Sequence, residues 1–474
     1  MTLLPGRRPG DRRVRVARVR PESFEVAPRR RRRRPISPPI AIVVGFAGLI
    51  AAGTVLLSLP FATASGAWTS PVTALFTATS AVCVTGLVVV DTATHWSPFG
   101  QVVIYLLIQL GGFGIATSST LLLVLAIGRR TGLRDRLLVA ESTGLADLGS
   151  IVPLLRRIAL FTIAAQAIGA AVLFVNRLAA GADPLSGAWW SVFHAASALN
   201  NAGFDVTGDF RSLTGYAEDP VVLGTIGCLI VVGGLGYAIL ADVGAKRRWR
   251  RMALETKVVL ASSLVLLVGG ALFVGLAEWS NPATLGGLPP GSRVLNATFL
   301  SVTARTAGFN SVDTAVLLPH TLFLVMGLMF VGGASGSTAG GIKVNSVGVI
   351  LVAVTSVARG SPSATAFGRR IPHEVVYRAL AVATLGAVIV FGGTLAVEVT
   401  TDRELVSVLF EAVSAFGTVG LSMGITPELP DPALVVLTVV MFAGRLGPLT
   451  LVLALAARAR PVASRPAVES LRIG

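Results

Sequence analysis

The sequence predicts an all-α polytopic membrane protein of four pseudo-symmetric repeats, with eight transmembrane helices and four re-entrant helices about a common axis. Three observations predict it: a composition too poor in charge for a soluble chain, eight apolar stretches of spanning length, and four short segments that match one another. Of 474 residues, 53% are hydrophobic and 14% charged, against roughly 25% charged in an ordinary soluble domain. So few charges cannot cover a soluble surface of this size, so the apolar excess must face lipid. Disorder is excluded by the apolar content, and a disulfide scaffold by the presence of only Cys83 and Cys228.

A helix needs about 20 mainly apolar residues to cross the hydrocarbon core. The qualifying stretches are 38–60, 98–127, 153–176, 220–243, 257–278, 316–342, 375–398 and 433–457. Between the members of each pair lies a shorter, semi-polar stretch, at 69–87, 187–204, 292–309 and 404–421. These are too short to span and read as a re-entrant helix followed by a loop, which is tolerated at membrane depth only where it lines a cavity. The chain therefore divides into a basic disordered tail (1–37), repeat one (38–130), repeat two (150–245), repeat three (253–358), repeat four (372–458) and a short tail (459–474).

Net charge is +16, but thirteen Arg against three carboxylates in residues 1–40 supply +10 of it. The run Arg29 to Arg34 has no folded basic module around it, which argues against nucleic acid, and no apolar stretch before residue 37 marks a signal peptide. The tail reads as cytoplasmic and in touch with anionic membrane lipid. Basic residues also crowd 128–157, 243–258 and 358–378, whereas 61–97 has no Lys or Arg. With an even number of spans, every basic loop falls on one side, so both termini are cytoplasmic in the plasma (inner) membrane.

The four re-entrant stretches align without gaps. FTATSAVCVTGL (76–87), FHAASALNNAGF (193–204), TFLSVTARTAGF (298–309) and FEAVSAFGTVGL (410–421) each place a Gly at the same point: Gly86, Gly203, Gly308 and Gly420. A short helix aiming its C-terminus at the membrane centre favours a cation there. The extended segment after it can turn carbonyls toward an axis in place of water, and Gly permits φ > 0 and close approach. The expected fold is thus four M1–pore loop–M2 units around a central pore. Its monovalent-cation site would use backbone carbonyls of Val84, Thr85 and Gly86, of Asn201, Ala202 and Gly203, of Thr306, Ala307 and Gly308, and of Thr418, Val419 and Gly420. No carboxylate interrupts these triplets. Asp91, Asp205 and Asp313 follow them and are expected to concentrate cations at the mouth.

SAVCVTGLVVVDT (80–92), SALNNAGFDV (197–206), SVTARTAGFNSVD (301–313) and SAFGTVGLSMG (414–424) resemble the Ktr/Trk/HKT superfamily of potassium transporters. So do QLGGFG (109–114), FVGGASGSTAGGIK (330–343) and MFAGRLGPLT (441–450). The resemblance runs from about residue 38 to 457 and implies a bacterial K⁺-translocating membrane subunit of the Ktr type, with K⁺ as cargo. Gly86, where the family's Na⁺ transporters carry Ser, points to K⁺, and a role for Na⁺ stays open. The resemblance further implies a homodimer and a cytoplasmic octameric ring of nucleotide-binding RCK-type regulator subunits, with no nucleotide on this chain.

The stretch 332–341 interrupts the sixth span with five Gly and three Ser/Thr, a poor helix. Its spacing to Lys343 fails the phosphate-loop pattern. By resemblance it is an intramembrane gate, comprising Gly332, Gly333, Ser335, Gly336, Ser337, Thr338, Gly340 and Gly341 with Lys343. Arg445 lies about 12 residues, or about 18 Å, into the last span, and a charge that deep is functional by default. The resemblance makes it the partner of the gate, and a structural ion pair is the competing role. Arg305, Asn200 and Asn201 read as hydrogen-bonding groups behind the filter, and Glu411 as a packing anchor. Cys83 and the four scattered His (95, 194, 320, 373) carry no metal-ligand spacing, and no nucleophile–base constellation supports an enzyme. Two mechanisms stay open: channel-like K⁺ uptake driven by membrane potential, and a secondary transporter coupled to Na⁺ or H⁺.

Overall fold

The computed structural model describes residues 38–113 and 151–447. The expected basic tail (1–37), the Arg cluster near 129–136, Gly114 and the C-terminal tail (459–474) lie outside the described residues. Thirteen α-helices and one two-residue hairpin, β1 (Thr365–Ala366) with β2 (Arg369–Arg370), are described. Grouped by the repeats expected from the sequence, the helices of repeats one, two and four run long–short–long, and repeat three ends in two helices. Repeat one holds α1 (Pro38–Ser58), α2 (Pro71–Cys83) and α3 (Pro98–Phe113); repeat two holds α4 (Ile151–Ala179), α5 (Pro184–Leu199) and α6 (Pro220–Lys246). Repeat three holds α7 (Leu254–Glu278), α8 (Pro290–Thr303), α9 (Pro319–Phe330) and α10 (Val344–Ala358). Repeat four closes the series with α11 (His373–Glu398), α12 (Leu405–Gly417) and α13 (Asp431–Leu446).

Proline sets most of the starts. It stands in the first turn of α2, α5, α6, α8, α9 and α13, where its missing N–H is not needed. In repeat two the preceding aspartate adds a side-chain cap: Asp183 accepts from Ser186 N at 3.0 Å, and Asp219 from Val221 N at 2.9 Å.

Polarity is inverted relative to a soluble protein. Large apolar side chains are exposed along the long helices, among them Leu272 (62%), Phe391 (67%) and Val439 (63%). The short helices α2, α5, α8 and α12 are buried over their C-terminal halves. Four described helices, within α4, α6, α7 and α11, are long and apolar enough to cross a membrane. Two features lie outside the sequence expectation. A left-handed residue, Gly236 (φ 75°, ψ 156°), kinks α6, and a further apolar helix, α10, follows the break at 331–343.

Candidate functional site

The short helices stop because their backbone turns left-handed. Two residues before each repeated glycine, Val84, Asn201, Thr306 and Thr418 have φ of 58°, 57°, 69° and 50°. The helix ends are then recaptured: Thr85 N donates to Ser80 O at 2.7 Å, Ala202 N to Ser197 O at 2.8 Å, and Val419 N to Ser414 O at 2.9 Å. Repeat three does the same one residue on, with Ala307 N donating to Thr303 O at 3.0 Å. Then come the glycines, with φ of 89°, 71°, 79° and 98° for Gly86, Gly203, Gly308 and Gly420.

These glycines touch one another's repeats in order. A Cβ on Gly86 would lie 2.4 Å from Ala202 O, on Gly203 2.6 Å from Ala307 O, on Gly308 2.2 Å from Val419 O, and on Gly420 2.3 Å from Thr85 O. The four contacts close a ring. Its carbonyls come from one equivalent position in every repeat, the residue before the glycine. Val84, Thr85, Asn201, Ala202, Thr306, Ala307, Thr418 and Val419 are all buried, and no carboxylate is among them. The Thr85 and Thr418 hydroxyls are buried without a hydrogen-bond partner among the described residues.

A second set of glycines seats the ring. Gly111 in α3, Gly233 in α6 and Gly444 in α13 press against the carbonyl four residues before the ring glycine, so an added Cβ would fall 2.0, 2.0 and 1.9 Å from Val82 O, Leu199 O and Phe416 O. The sequence reading quoted Gly111 and Gly444 within QLGGFG and MFAGRLGPLT without assigning them this packing role, and did not single out Gly233. The signal of this set was a small residue 24 to 30 positions beyond Gly86, Gly203 and Gly420, too variable in spacing to stand out among 52 glycines.

Repeat three departs at that point: α9 ends at Phe330 and the backbone crosses as a loop before α10. The loop is tied at its base, with Gly332 N donating to Ile342 O at 2.8 Å and Val344 N to Gly333 O at 3.0 Å. It rests on the α6 glycines, since Ala334 N donates to Gly234 O at 2.8 Å and a Cβ on Gly236 would meet Gly336 O at 3.0 Å. It also abuts the residues under the ring. The Thr338 hydroxyl lies 3.2 Å from both Leu199 O and Asn201 Oδ1, and a Cβ on Gly340 would meet Thr418 Oγ1 at 2.0 Å.

Three cations converge on the carbonyls of this loop. Arg305 donates to Gly332 O at 3.1 Å, Lys343 to Ala339 O, and Arg445 to Thr338 O. The other Arg445 nitrogen donates to Gly111 O at 2.6 Å, so one side chain joins α13, the loop and α3. Among the described residues Arg445 has no carboxylate partner. On the other side, Asn345 accepts from Ser335 N at 3.0 Å and donates to exposed Glu255 at 2.6 Å.

The remaining sequence-singled residues sort by their partners. Asn200 turns away from the ring to Gln109 Oε1 at 2.8 Å, whereas Asn201 reaches Thr306 Oγ1 at 3.4 Å. Glu411, fully buried, accepts from the Ser422 and Thr426 hydroxyls and anchors the segment beyond Gly420. Asp91 is buried and accepts from Ala93 N, Thr94 and, at 2.8 Å, Phe210 N of repeat two, so it laces loops together. Asp313 is exposed, and half-buried Asp205 accepts from Thr207 N at 3.0 Å, its carboxyl pushed up to about 6 by burial with the Asp91 charge adding to the rise. Cys83 is buried, His194 stacks on Trp190 at 3.9 Å, and no metal-ligating cluster occurs among the described residues.

Comparison with known proteins agrees along nearly the whole chain. The profile of TrkH, a cation transport protein family, matches residues 39–461. The Ktr system potassium uptake protein B of Bacillus subtilis is 41% identical over 421 residues, covering 89% of this chain and 93% of that protein. The potassium/sodium uptake protein NtpJ of Enterococcus hirae is 38% identical over 440 residues, covering 91% and 95%. In architecture the chain is similar to the crystal structure of the potassium transporter TrkH from Vibrio parahaemolyticus, with a TM-score of 0.69 at 19% identity over 90% of this chain and 86% of that one.

Proposed function

The chain belongs to the TrkH family of cation transport proteins, and from that premise we propose that it is a multi-pass subunit carrying K⁺ into a bacterial cell through a ring of backbone carbonyls. The observation that carries this reading is the closed contact of Gly86, Gly203, Gly308 and Gly420, each backed onto the carbonyl of the next repeat. Four equivalent carbonyls around one axis can replace the hydration shell of a monovalent cation, and the absence of carboxylates among them disfavours a divalent one. α2, α5, α8 and α12 act as pore helices whose C-termini aim partial negative charge at the ion. The other helices make eight spans, the sixth divided between α9 and α10. A cell interior near −100 mV favours entry of each K⁺ by about 2.3 kcal/mol.

The loop between α9 and α10 is the gate. It lies against Asn201 and Thr418, directly beneath the residues that turn into the ring, and Arg445 holds it there with a charge that repels cations. The opening signal comes from the cytoplasm. A nucleotide-binding regulator ring docks on a dimer of the chain at the face bearing exposed Arg247, Arg248, Arg250, Arg251, Arg369 and Arg370. The Glu255–Asn345–Ser335 chain of hydrogen bonds leads from that face to the loop.

Rubidium-tracer uptake into proteoliposomes under an imposed inside-negative potential tests this. Uptake suppressed by K⁺ and weakly by Na⁺, and unchanged when Na⁺ or H⁺ gradients are collapsed at fixed voltage, is expected. Uptake that follows either gradient at fixed voltage means coupled transport, and silence from folded protein with its regulator present refutes the K⁺ filter.

A further inference from the structure

Three carboxamides meet where α3, α4 and α5 come together: Gln109 of α3, Gln166 of α4 and Asn200, the C-cap of α5. Gln109 and Gln166 exchange hydrogen bonds, Gln109 Nε2 donating to Gln166 Oε1 at 2.9 Å and Gln166 Nε2 to Gln109 Oε1 at 3.1 Å. The second donor of Gln109 goes to the Tyr105 hydroxyl at 3.0 Å, and its oxygen also accepts from Asn200 Nδ2 at 2.8 Å. Both hydrogens and both lone pairs of the Gln109 amide are thus engaged. Backbone fixes the direction of this chain of amides. Ala196 O, which can only accept, takes the other Asn200 Nδ2 hydrogen at 3.0 Å, so the Asn200 nitrogen and the Gln109 oxygen face each other. Asn200 Oδ1 lies against α3, where a Cβ on Gly112 would fall 2.1 Å from it.

The link spans the joint between repeats one and two. In the ring that joint is Gly86 against Ala202 O, and α3 touches both of its sides. Gly111 seats Val82 O, four residues before Gly86, and Gln109 holds Asn200, two residues before Ala202. One helix is therefore the common reference for the two backbones whose separation sets that side of the ring. The pseudo-symmetry of the fold does not impose the link, since the residues equivalent to Asn200 are Cys83, Arg305 and Gly417. Nor does joining the two helices require it, because Trp189 Nε1 already ties α5 to Gln101 Oε1 of α3 at 2.8 Å, nearer the start of α5. A ring of carbonyls discriminates between cations through the spacing and field of its oxygens, so a corner free to shift discriminates less. We propose that Gln109 and Gln166 are positioning residues for the ring: their paired amides hold Asn200, keep Ala202 O at its distance from repeat one, and so maintain a preference for K⁺ over Na⁺. This rests on the carbonyl-ring reading above and deepens it.

The test reads ion binding without flux. The full chain in detergent is unfolded thermally in choline chloride with added K⁺ or Na⁺, because an ion that binds the folded chain raises the midpoint. The unaltered chain should need much less K⁺ than Na⁺ for the same rise. Gln109→Met is expected to lower the Na⁺-to-K⁺ concentration ratio about tenfold, and Gln166→Met about threefold, because Gln109 then keeps Tyr105 and Asn200. Gln109→Glu retains an acceptor for Asn200 and should stay within about twofold of the unaltered ratio. Trp189→Phe breaks the other bond between α3 and α5, and should lower the midpoint in choline alone while leaving the ratio unchanged. In choline alone, Gln109→Met and Asn200→Leu together should cost little more than either does singly. A ratio unchanged in Gln109→Met, equal falls in Gln109→Met and Gln109→Glu, or an equal fall in Trp189→Phe overturns the positioning role. Additive losses at Gln109 and Asn200 overturn the link itself. An unaltered chain stabilised equally by K⁺ and Na⁺ overturns the carbonyl-ring reading and the claim on selectivity with it, and the measurements in choline alone tell that failure from a broken link.

Discussion

At the glycine ring, backbone meets backbone. Gly86, Gly203, Gly308 and Gly420 repeat one arrangement four times, and no charged side chain takes part. At the loop between α9 and α10, side chains hold backbone: Arg305, Lys343 and Arg445 each grip one carbonyl, and each occurs in one repeat alone. A fourfold arrangement of close backbone contacts has little freedom to move, because each part is wedged by the next. A single loop held by a few charged hydrogen bonds can be released by changing any of them. The ring suits selection and the loop suits control.

The largest effect should come from breaking the ring. Gly203→Ser or Gly308→Ala adds an atom 2.6 or 2.2 Å from a backbone oxygen, at a φ that disfavours any side chain. Either is expected to lower K⁺-competed rubidium uptake by about a hundredfold per folded molecule, equivalent to about 3 kcal/mol. Uptake and selectivity preserved in both would show that the ring is not the narrow point. Releasing the loop should act in the opposite direction. Arg445→Ala removes two charge-assisted hydrogen bonds and a repelling charge, so basal uptake without regulator should rise about tenfold or more. Deleting 334–339 should reproduce that rise, and unaltered flux in both would place the gate elsewhere. Thr338→Val removes only a neutral hydroxyl shared between Leu199 O and Asn201, and an increase of about fivefold is expected from the same assay.

The smallest effect sharpens the comparison inside the ring. Ser414 Oγ accepts the Gly420 N–H at 3.1 Å and Ser80 Oγ does the same for Gly86, whereas the equivalent Ser197 hydroxyl has no partner among the described residues. Thermal unfolding in detergent should show Ser80→Ala and Ser414→Ala destabilised by about 1 kcal/mol each and Ser197→Ala unaffected. Equal losses at all three would mean that the ring is more symmetric than its hydrogen bonds.

The ring was legible in the sequence because its requirement is steric and repeats: only Gly fits, at one register, four times. The break in the third repeat was legible because Gly332 to Gly341 cannot sustain a helix. What opposes that loop was not. The α6 kink at Gly236 and the packing glycines Gly111, Gly233 and Gly444 lie at spacings that vary among repeats, so their meaning appears only when helices touch. Arg305 was legible as a hydrogen-bonding group, but its partner, Gly332 O of the loop, was not. The hydrogen bond by which Asp91 joins the loops of two repeats was not legible, because a side chain's partners cannot be read from order along the chain.

The most direct test of the carbonyl ring is anomalous diffraction from crystals grown with Tl⁺ in place of K⁺. The account predicts a peak on the axis enclosed by Thr85, Ala202, Ala307 and Val419, coordinated by their carbonyl oxygens and lost on exchange into K⁺. Density that instead sits on side-chain carboxylates, or an axis without any peak while Tl⁺ supports uptake, would contradict it.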